Sequence, residues 1–139
     1  AAGAANLGGM VLVYVANPLD FSWGMPPFLH PAFAGPTSLA EQIQAAFPEA
    51  RVVKAFNTVA AAVMVAPELI PGAHDLFLSG NDAGAKDLVK GIARGFGWTG
   101  FADLGDITGA RAQEAVLPVW VRLWQTGGTH LVNLKVVRA

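Results

Sequence analysis

The run Met10-Val11-Leu12-Val13-Tyr14-Val15-Ala16 is apolar at every position, with no alternation between polar and apolar side chains. A strand with one face in water alternates. An unbroken, β-branched run of this length therefore predicts a strand covered on both faces, as in a parallel sheet flanked by helices. Asn17-Pro18 ends it. Similar runs place strands at Arg51 to Phe56, Asp75 to Ser79 and Thr99 to Leu104, with a last strand at about Leu131 to Val137. Helical patterns fill the intervals. Ser38-Leu39-Ala40-Glu41 has the spacing of a capping box and opens a helix that stops before Pro48. A short Ala/Val-rich helix ends at Pro67, and Gly80-Asn81-Asp82 leads into another from about Ala83 to Phe96. A long helix after Gly105-Asp106 reaches about Gln125, is bent or interrupted near Pro118 and stops at Gly127-Gly128. Strands alternating with helices predict an α/β fold with an open, mostly parallel sheet, flanking helices, and a long C-terminal helix followed by a final strand.

Composition fits one domain over residues 1–139, with an irregular start at 1–9 and a loop at 17–37 in which prolines alternate with Phe21, Trp23, Met25, Phe28 and Phe33. Only 14% of the residues are charged and 53% are hydrophobic, which excludes disorder. A formal charge of −1 offers no basic face for nucleic acid or an anionic membrane. With no cysteine there is neither a disulfide framework nor a thiolate metal site. No apolar run reaches the roughly 18 residues of a membrane span, and the N-terminus lacks the charged and apolar regions of a signal peptide. A cytoplasmic protein is the expectation.

In an open parallel sheet, ligands bind beyond the carboxyl ends of the strands. The residues there are Asn17, Asn57, Asn81 with Asp82, and Asp106. Asn81, Asp82 and Asp106 read first as helix caps, whereas Asn17 and Asn57 are as readily site residues as turn residues. Gly95-Phe96-Gly97-Trp98-Thr99-Gly100 has the spelling of a dinucleotide fingerprint, but it follows a helix and precedes a strand, the reverse of the working order. It reads as a helix stop and a turn. His30, His74 and His130 are scattered, so no metal site is expected. Ser22, Ser38 and Ser79 lack the nucleophile-elbow pattern. Arg111 and Glu114, three apart on a helix, read as a surface pair. The long helix carries Leu117, Val121 and Trp124 on one stripe and Val116, Trp120 and Leu123 on another, a wide apolar surface that reads equally as core or as a dimer contact.

Asn17-Pro18-Leu19-Asp20 with Gly24-Met25-Pro26-Pro27, Val52-Val53-Lys54-Ala55-Phe56-Asn57-Thr58, Gly80-Asn81-Asp82, and Asp103-Leu104-Gly105 with Ala110-Arg111 together resemble the coenzyme F420-dependent NADP oxidoreductase family. Asn133-Leu134-Lys135-Val136-Val137-Arg138 resembles its closing strand. The resemblance implies a Rossmann-like reductase that moves hydride between NADP(H) and a deazaflavin of the F420 type. Asn17 and Pro18 would line the nicotinamide side, with Asn57 and Thr58 near the reacting rings. Such chemistry needs two rings held close together rather than an acid, a base or a metal.

The likeness runs from about Gly9 to the end, and the family's opening half, with its glycine fingerprint, has no counterpart before Gly9. The expectation is a truncated, C-terminal part of the family, impaired or inactive alone, whose NADP(H) and F420 binding lacks the usual pyrophosphate cradle. Without that half, Met10 to Ala16 becomes an open edge strand, so a homodimer through this edge or through the long C-terminal helix is expected. The alternative is a non-catalytic half-Rossmann module that binds copies of itself or a partner. A third reading is a small-ligand binder with the aromatic loop as its lid and Trp23 as a reporter.

Overall fold

A computed structural model describes residues 3–139. Ala4–Leu7 forms a single helical turn (α1) within the stretch expected to be irregular. The all-apolar run then supplies Val11–Tyr14 (β1). In the proline-rich loop, Leu19–Asp20 (β2) and Phe28–Leu29 (β3) pair as a small antiparallel ribbon. Leu39–Ala46 (α2) follows, started by the expected box: the Glu41 N–H donates to Ser38 Oγ at 3.2 Å, and the Ser38 N–H donates to Glu41 Oε2 at 2.7 Å.

The chain continues through Arg51–Ala55 (β4), Ala61–Val65 (α3), Asp75–Gly80 (β5), Ala83–Gly95 (α4) and Gly100–Asp103 (β6). It ends in Ala110–Ala115 (α5) and Leu117–Gly127 (α6), which meet at Val116 where Pro118 was expected to interrupt one long helix. The fingerprint-like glycines fall where the reading placed them, at the end of α4 and the start of β6, and Gly97 takes a φ of 100°.

The four long strands form one open sheet in the order β1-β4-β5-β6. β1 is parallel to β4 and β5 to β6, but β4 and β5 are antiparallel, with Lys54 opposite Ser79. The sheet is thus mostly parallel, yet its two halves point in opposite directions. On one face Val53, Ala55, Leu76 and Leu78 pack with Val63, Val89 and Trp98. On the other, Val52 and Leu12 pack with Ala40, Ile43, Ile107 and Ala110. β1 is the end strand, and among the described residues its outer edge has no partner.

The expected final strand does not form. β5 pairs with β4 only over Leu78–Gly80, which leaves Asp75 available to the tail. The Asp75 N–H donates to the Leu134 carbonyl at 3.0 Å, and the Val136 N–H donates to Asp75 Oδ2 at 2.7 Å. Lys135 adds a 3.5 Å ion pair to the same carboxylate. The tail is thus fastened chiefly at Asp75, with Trp120 Nε1 also donating to the Val132 carbonyl, instead of running along a sheet edge.

Gly80 sits where the antiparallel strands approach closely: a Cβ there would lie 2.7 Å from the Val52 carbonyl oxygen. Gly80→Ala should therefore cost about 1–3 kcal/mol through forced separation of the strands, seen as a lower urea midpoint. An unchanged midpoint would mean that the β4–β5 contact yields freely.

Candidate functional site at the end of strands β1 and β4

Because β5 and β6 run against β1 and β4, the residues that follow the four strands do not share one crevice. Asn17 and Asn57 come together at one end of the sheet. Asn81 and Asp82 lie at the other, beside Ala50 and Arg51. Asp82 and Asp106 are caps, accepting from the Ala85 N–H at 2.6 Å and the Thr108 N–H at 2.9 Å. Asn81 is not a cap: its Oδ1 accepts from the Ile107 N–H at 3.0 Å and ties the end of β5 to the turn after β6.

The turn at Asn57 is made by its neighbour. Phe56 has a φ of 62°, a left-handed conformation that costs a non-glycine residue about 1–2 kcal/mol. Strand alternation would aim Phe56 at the face carrying Lys54, but its ring lies in the same cluster as Val53 and Ala55. The switch passes the Lys54 face to Asn57, whose side chain meets α5 there. Asn57 Nδ2 donates to Asn17 Oδ1 at 3.0 Å and to the Gln113 carbonyl at 2.8 Å. Its Oδ1 accepts from Gln113 Nε2 at 3.1 Å. Asn17 returns a 2.9 Å bond from Nδ2 to the Asn57 carbonyl. Gln113 Oε1 accepts from Ser79 Oγ at 2.5 Å, which closes the network.

Each Asn57 amide hydrogen and its oxygen are thus engaged, and Asn57, Thr58 and Pro18 are buried. Of the four residues expected to line a cofactor, only Asn17 is partly open to solvent. It keeps a second amide hydrogen to offer, beside the loop that exposes Phe21, Trp23 and Met25. Asn17 is the group a ligand can reach, and Asn57 holds it in place.

Beneath this pair lies a buried charge cluster that the sequence did not reveal. Lys54 is fully buried; its Nζ donates to the Ala16 carbonyl, lies 3.4 Å from Glu114 Oε1 and sits 4.0 Å from the centre of the Tyr14 ring. Glu114 is buried too, and accepts from the Leu39 and Ala40 N–H groups at the start of α2. The expected surface pair between Arg111 and Glu114 is therefore replaced. Glu114 turns inward to Lys54, while Arg111 Nε donates to Glu41 Oε2 at 2.8 Å.

Loss of hydration pulls the Lys54 ammonium down to about 8, with Glu114 opposing that shift. Burial, helped by the Glu114 charge, pushes the Tyr14 hydroxyl up to about 12. The Arg111 guanidinium, with the Ser38 donors, holds Glu41 down at about 2. The signal that could have pointed to Lys54 is a lone lysine inside Val52-Val53-Lys54-Ala55-Phe56; nothing near it names Glu114.

The histidines belong elsewhere. His74 Nδ1 is 2.9 Å from Asn133 Nδ2 and its Nε2 is 3.1 Å from the Pro67 carbonyl, an arrangement that suits a neutral ring with the proton on Nε2. Among the described residues no three His, Cys, Asp or Glu side chains gather as a metal site, and no helix is long and apolar enough to cross a membrane.

Comparison with known proteins bears on this geometry. No family model matches the sequence. Among curated proteins, the F420-dependent NADP reductase of Methanocaldococcus jannaschii is 30% identical over 136 residues, 94% of this chain and 60% of that protein. A crystal structure from Arthrobacter sp. FB24, provisionally described as an F420-dependent NADP reductase, superposes with a TM-score of 0.93 at 53% identity. The match covers 99% of this chain and 62% of that one. The chain is a relative of the F420-dependent NADP reductases. It spans about 60% of the length of the reductases it matches. Metalloreductase STEAP3 of Rattus norvegicus is 33% identical over 84% of this chain but only 22% of its own length.

The buried pair makes a testable contribution to stability. Lys54→Met leaves the Glu114 carboxylate buried without its counter-ion and should cost about 3–5 kcal/mol. In the wild type, the folded protein releases the Lys54 proton near pH 8 while the unfolded chain keeps it to about 10.5. The unfolded state then binds more protons, so Lys54 makes stability rise with pH across that window. Tyr14 acts in the opposite sense from 10 to about 12. Urea midpoints at pH 7.5 and 9.5 should show the rise in the wild type and its loss in Lys54→Met; equal slopes would refute it.

Proposed function

We propose that this chain forms the ring-facing part of an oxidoreductase that transfers hydride between NADP(H) and a deazaflavin of the F420 type, in a cytoplasmic setting. The 53% identity to the Arthrobacter protein over 99% of this chain carries the reading. The geometry supports it at the ring end. Asn17 presents an unspent amide N–H at the carboxyl end of β1, backed by a satisfied network that fixes its orientation. Pro18 and Thr58 add a packed floor beside it, and the exposed aromatic loop supplies cover. A hydride donor and acceptor require a shaped, dry surface that holds two flat rings, and a neutral amide orients a ring without altering its charge.

The phosphate end of a dinucleotide does not fit the described residues. The G-x-G-x-x-G segment stands at a helix end, and the α4 N-terminus is occupied by the Asp82 carboxylate. This chain therefore contributes the ring contacts, and the deazaflavin is expected to bind it more tightly than NADPH does. Titration with the F420 deazaflavin and separately with NADPH, followed by tryptophan fluorescence and calorimetry, should give saturable binding. Asn17→Ala should weaken it about tenfold, the effect of about one hydrogen bond. A folded protein that binds neither ligand would overturn the reading.

A second reading, a non-catalytic module that assembles with copies of itself, is favoured by the unpartnered outer edge of β1. The exposed Val119 and Leu123 on α6 offer another surface for the same purpose. Under this reading, sedimentation velocity at high micromolar concentration should show a dimer. Its persistence in Leu123→Lys would assign the contact to the β1 edge and its loss to α6, while a wild-type monomer would remove the reading.

A further inference from the structure

Ladder pairing between β1 and β4 ends at Tyr14 opposite Lys54, so the segment from Val15 to Pro18 leaves the sheet before it reaches the ring site. Val15 and Ala16 are exposed and belong to none of the buried clusters. This segment is tied back to β4 and its following turn by two side-chain links: the Lys54 ammonium on the Ala16 carbonyl, and the reciprocal Asn17–Asn57 amides. The Ala16 carbonyl belongs to the peptide group that also carries the Asn17 N–H, so a donor fixed on that oxygen sets the direction in which the Asn17 side chain departs.

We propose that Lys54 is the positioning residue of the ring site, acting through the Ala16 carbonyl to hold the Asn17 amide against Asn57. This rests on the ring-site reading above. Lys54 has no exposed surface of its own for a ligand to touch, and it lies on the same sheet face as Val52 and Tyr14, where an apolar side chain would pack. A buried ion pair is seldom more stabilising than an apolar pair of the same volume, so fold stability alone gives little reason for a lysine here. What no apolar residue can supply is a donor aimed at the Ala16 oxygen. Glu114 compensates the lysine's charge and is itself held by the first N–H groups of α2. Gln113 Nε2, 3.3 Å from the Lys54 carbonyl, fastens the same residue from its backbone side.

The test compares Glu114→Gln with the double variant Lys54→Met/Glu114→Gln in the full chain labelled with ¹⁵N. Glu114→Gln removes the ion pair but keeps the lysine, which donates to Ala16 whether or not it sheds its proton. The double variant removes the donor without leaving a lone buried charge. The Asn17 side-chain amide resonances, assigned with Asn17→Asp, should stay in place in Glu114→Gln and move toward those of a solvent-exposed amide in the double variant. The Trp98 indole N–H, bonded to the Met64 carbonyl on the opposite face, is the reference for an intact fold. Asn17 resonances unmoved in the double variant, or moved equally in both, would overturn the proposal. Should the double variant lose the Trp98 signal, Lys54→Leu/Glu114→Gln takes its place under the same criteria, since leucine also carries no donor.

Deazaflavin titration separates the two layers of the argument. A wild type that does not bind refutes the ring-site reading, while the amide signals still judge the Lys54–Asn17 link. If the wild type binds, the double variant should bind about tenfold more weakly and Glu114→Gln unchanged. Equal binding by the two variants would overturn the positioning role.

Discussion

The Lys54–Glu114 pair is the constraint around which the rest of this chain is arranged. An ammonium and a carboxylate taken wholly out of water incur several kcal/mol each in lost hydration, and they are tolerated only where every remaining donor and acceptor is matched. Here the matching groups come from three directions. β1 and the segment just after it give the Tyr14 ring and the Ala16 carbonyl, α5 gives Glu114, and the start of α2 gives two backbone N–H groups. The cluster thereby sets how α2 and α5 sit on the sheet. Any shift of either helix would strand a charge, which makes the face opposite α3 and α4 less adaptable than an all-apolar one.

The amide network on the same face extends this logic toward the site. Gln113 adjoins Glu114 in α5 and spans β4 and β5, taking Ser79 Oγ and donating toward the Lys54 and Phe77 carbonyls and Asn57 Oδ1. Ser79 faces Lys54 across the antiparallel pair, so charge and amide clusters form one stripe along the sheet. The left-handed turn at Phe56 joins that stripe to the surface by moving one side chain into the apolar core and its successor onto the polar face. The backbone strain of that turn is offset by the burial of Phe56 and the bonds of Asn57.

Local features of this architecture were legible in the sequence. The Ser38–Glu41 box, the helix break near Pro118, and the false fingerprint at Gly95 to Gly100 each depend on residues within a few positions of one another. The direction of β5 was not legible, because a helical pattern between β4 and β5 reads as a crossover to a parallel strand. The segment holds only a five-residue helix and a short turn, so it returns the chain antiparallel instead. Glu114 was misread for a related reason: spacing three from Arg111 is a local rule, whereas its partner lies on another element. Asn17 and Asn57 were both expected at the site from their places after β1 and β4; that one is partly exposed and the other buried beneath it depends on contacts across the sheet end that no local pattern encodes.

The reversed half-sheet also bears on what kind of ligand this chain can hold. A parallel α/β sheet gathers helix N-termini along one edge, where they attract phosphate. Here the α4 N-terminus lies at the end of the sheet opposite Asn17, and Asp82 occupies it. The α2 N-terminus receives Ser38, Glu41 and Glu114, so the protein's own carboxylates take the place an anion would fill. With these two positions used internally, the polar groups left in and beside the aromatic loop include the Asn17 amide, the Asp20 carboxylate and the His30 ring. Neither helix N-terminus is open to an isolated phosphate, and the exposed rings of the loop suit a flat heterocycle better. In a dinucleotide reductase the two tasks are separable, because phosphate contacts supply affinity while ring contacts supply geometry. Under the proposed function, the described residues of this chain serve the second task.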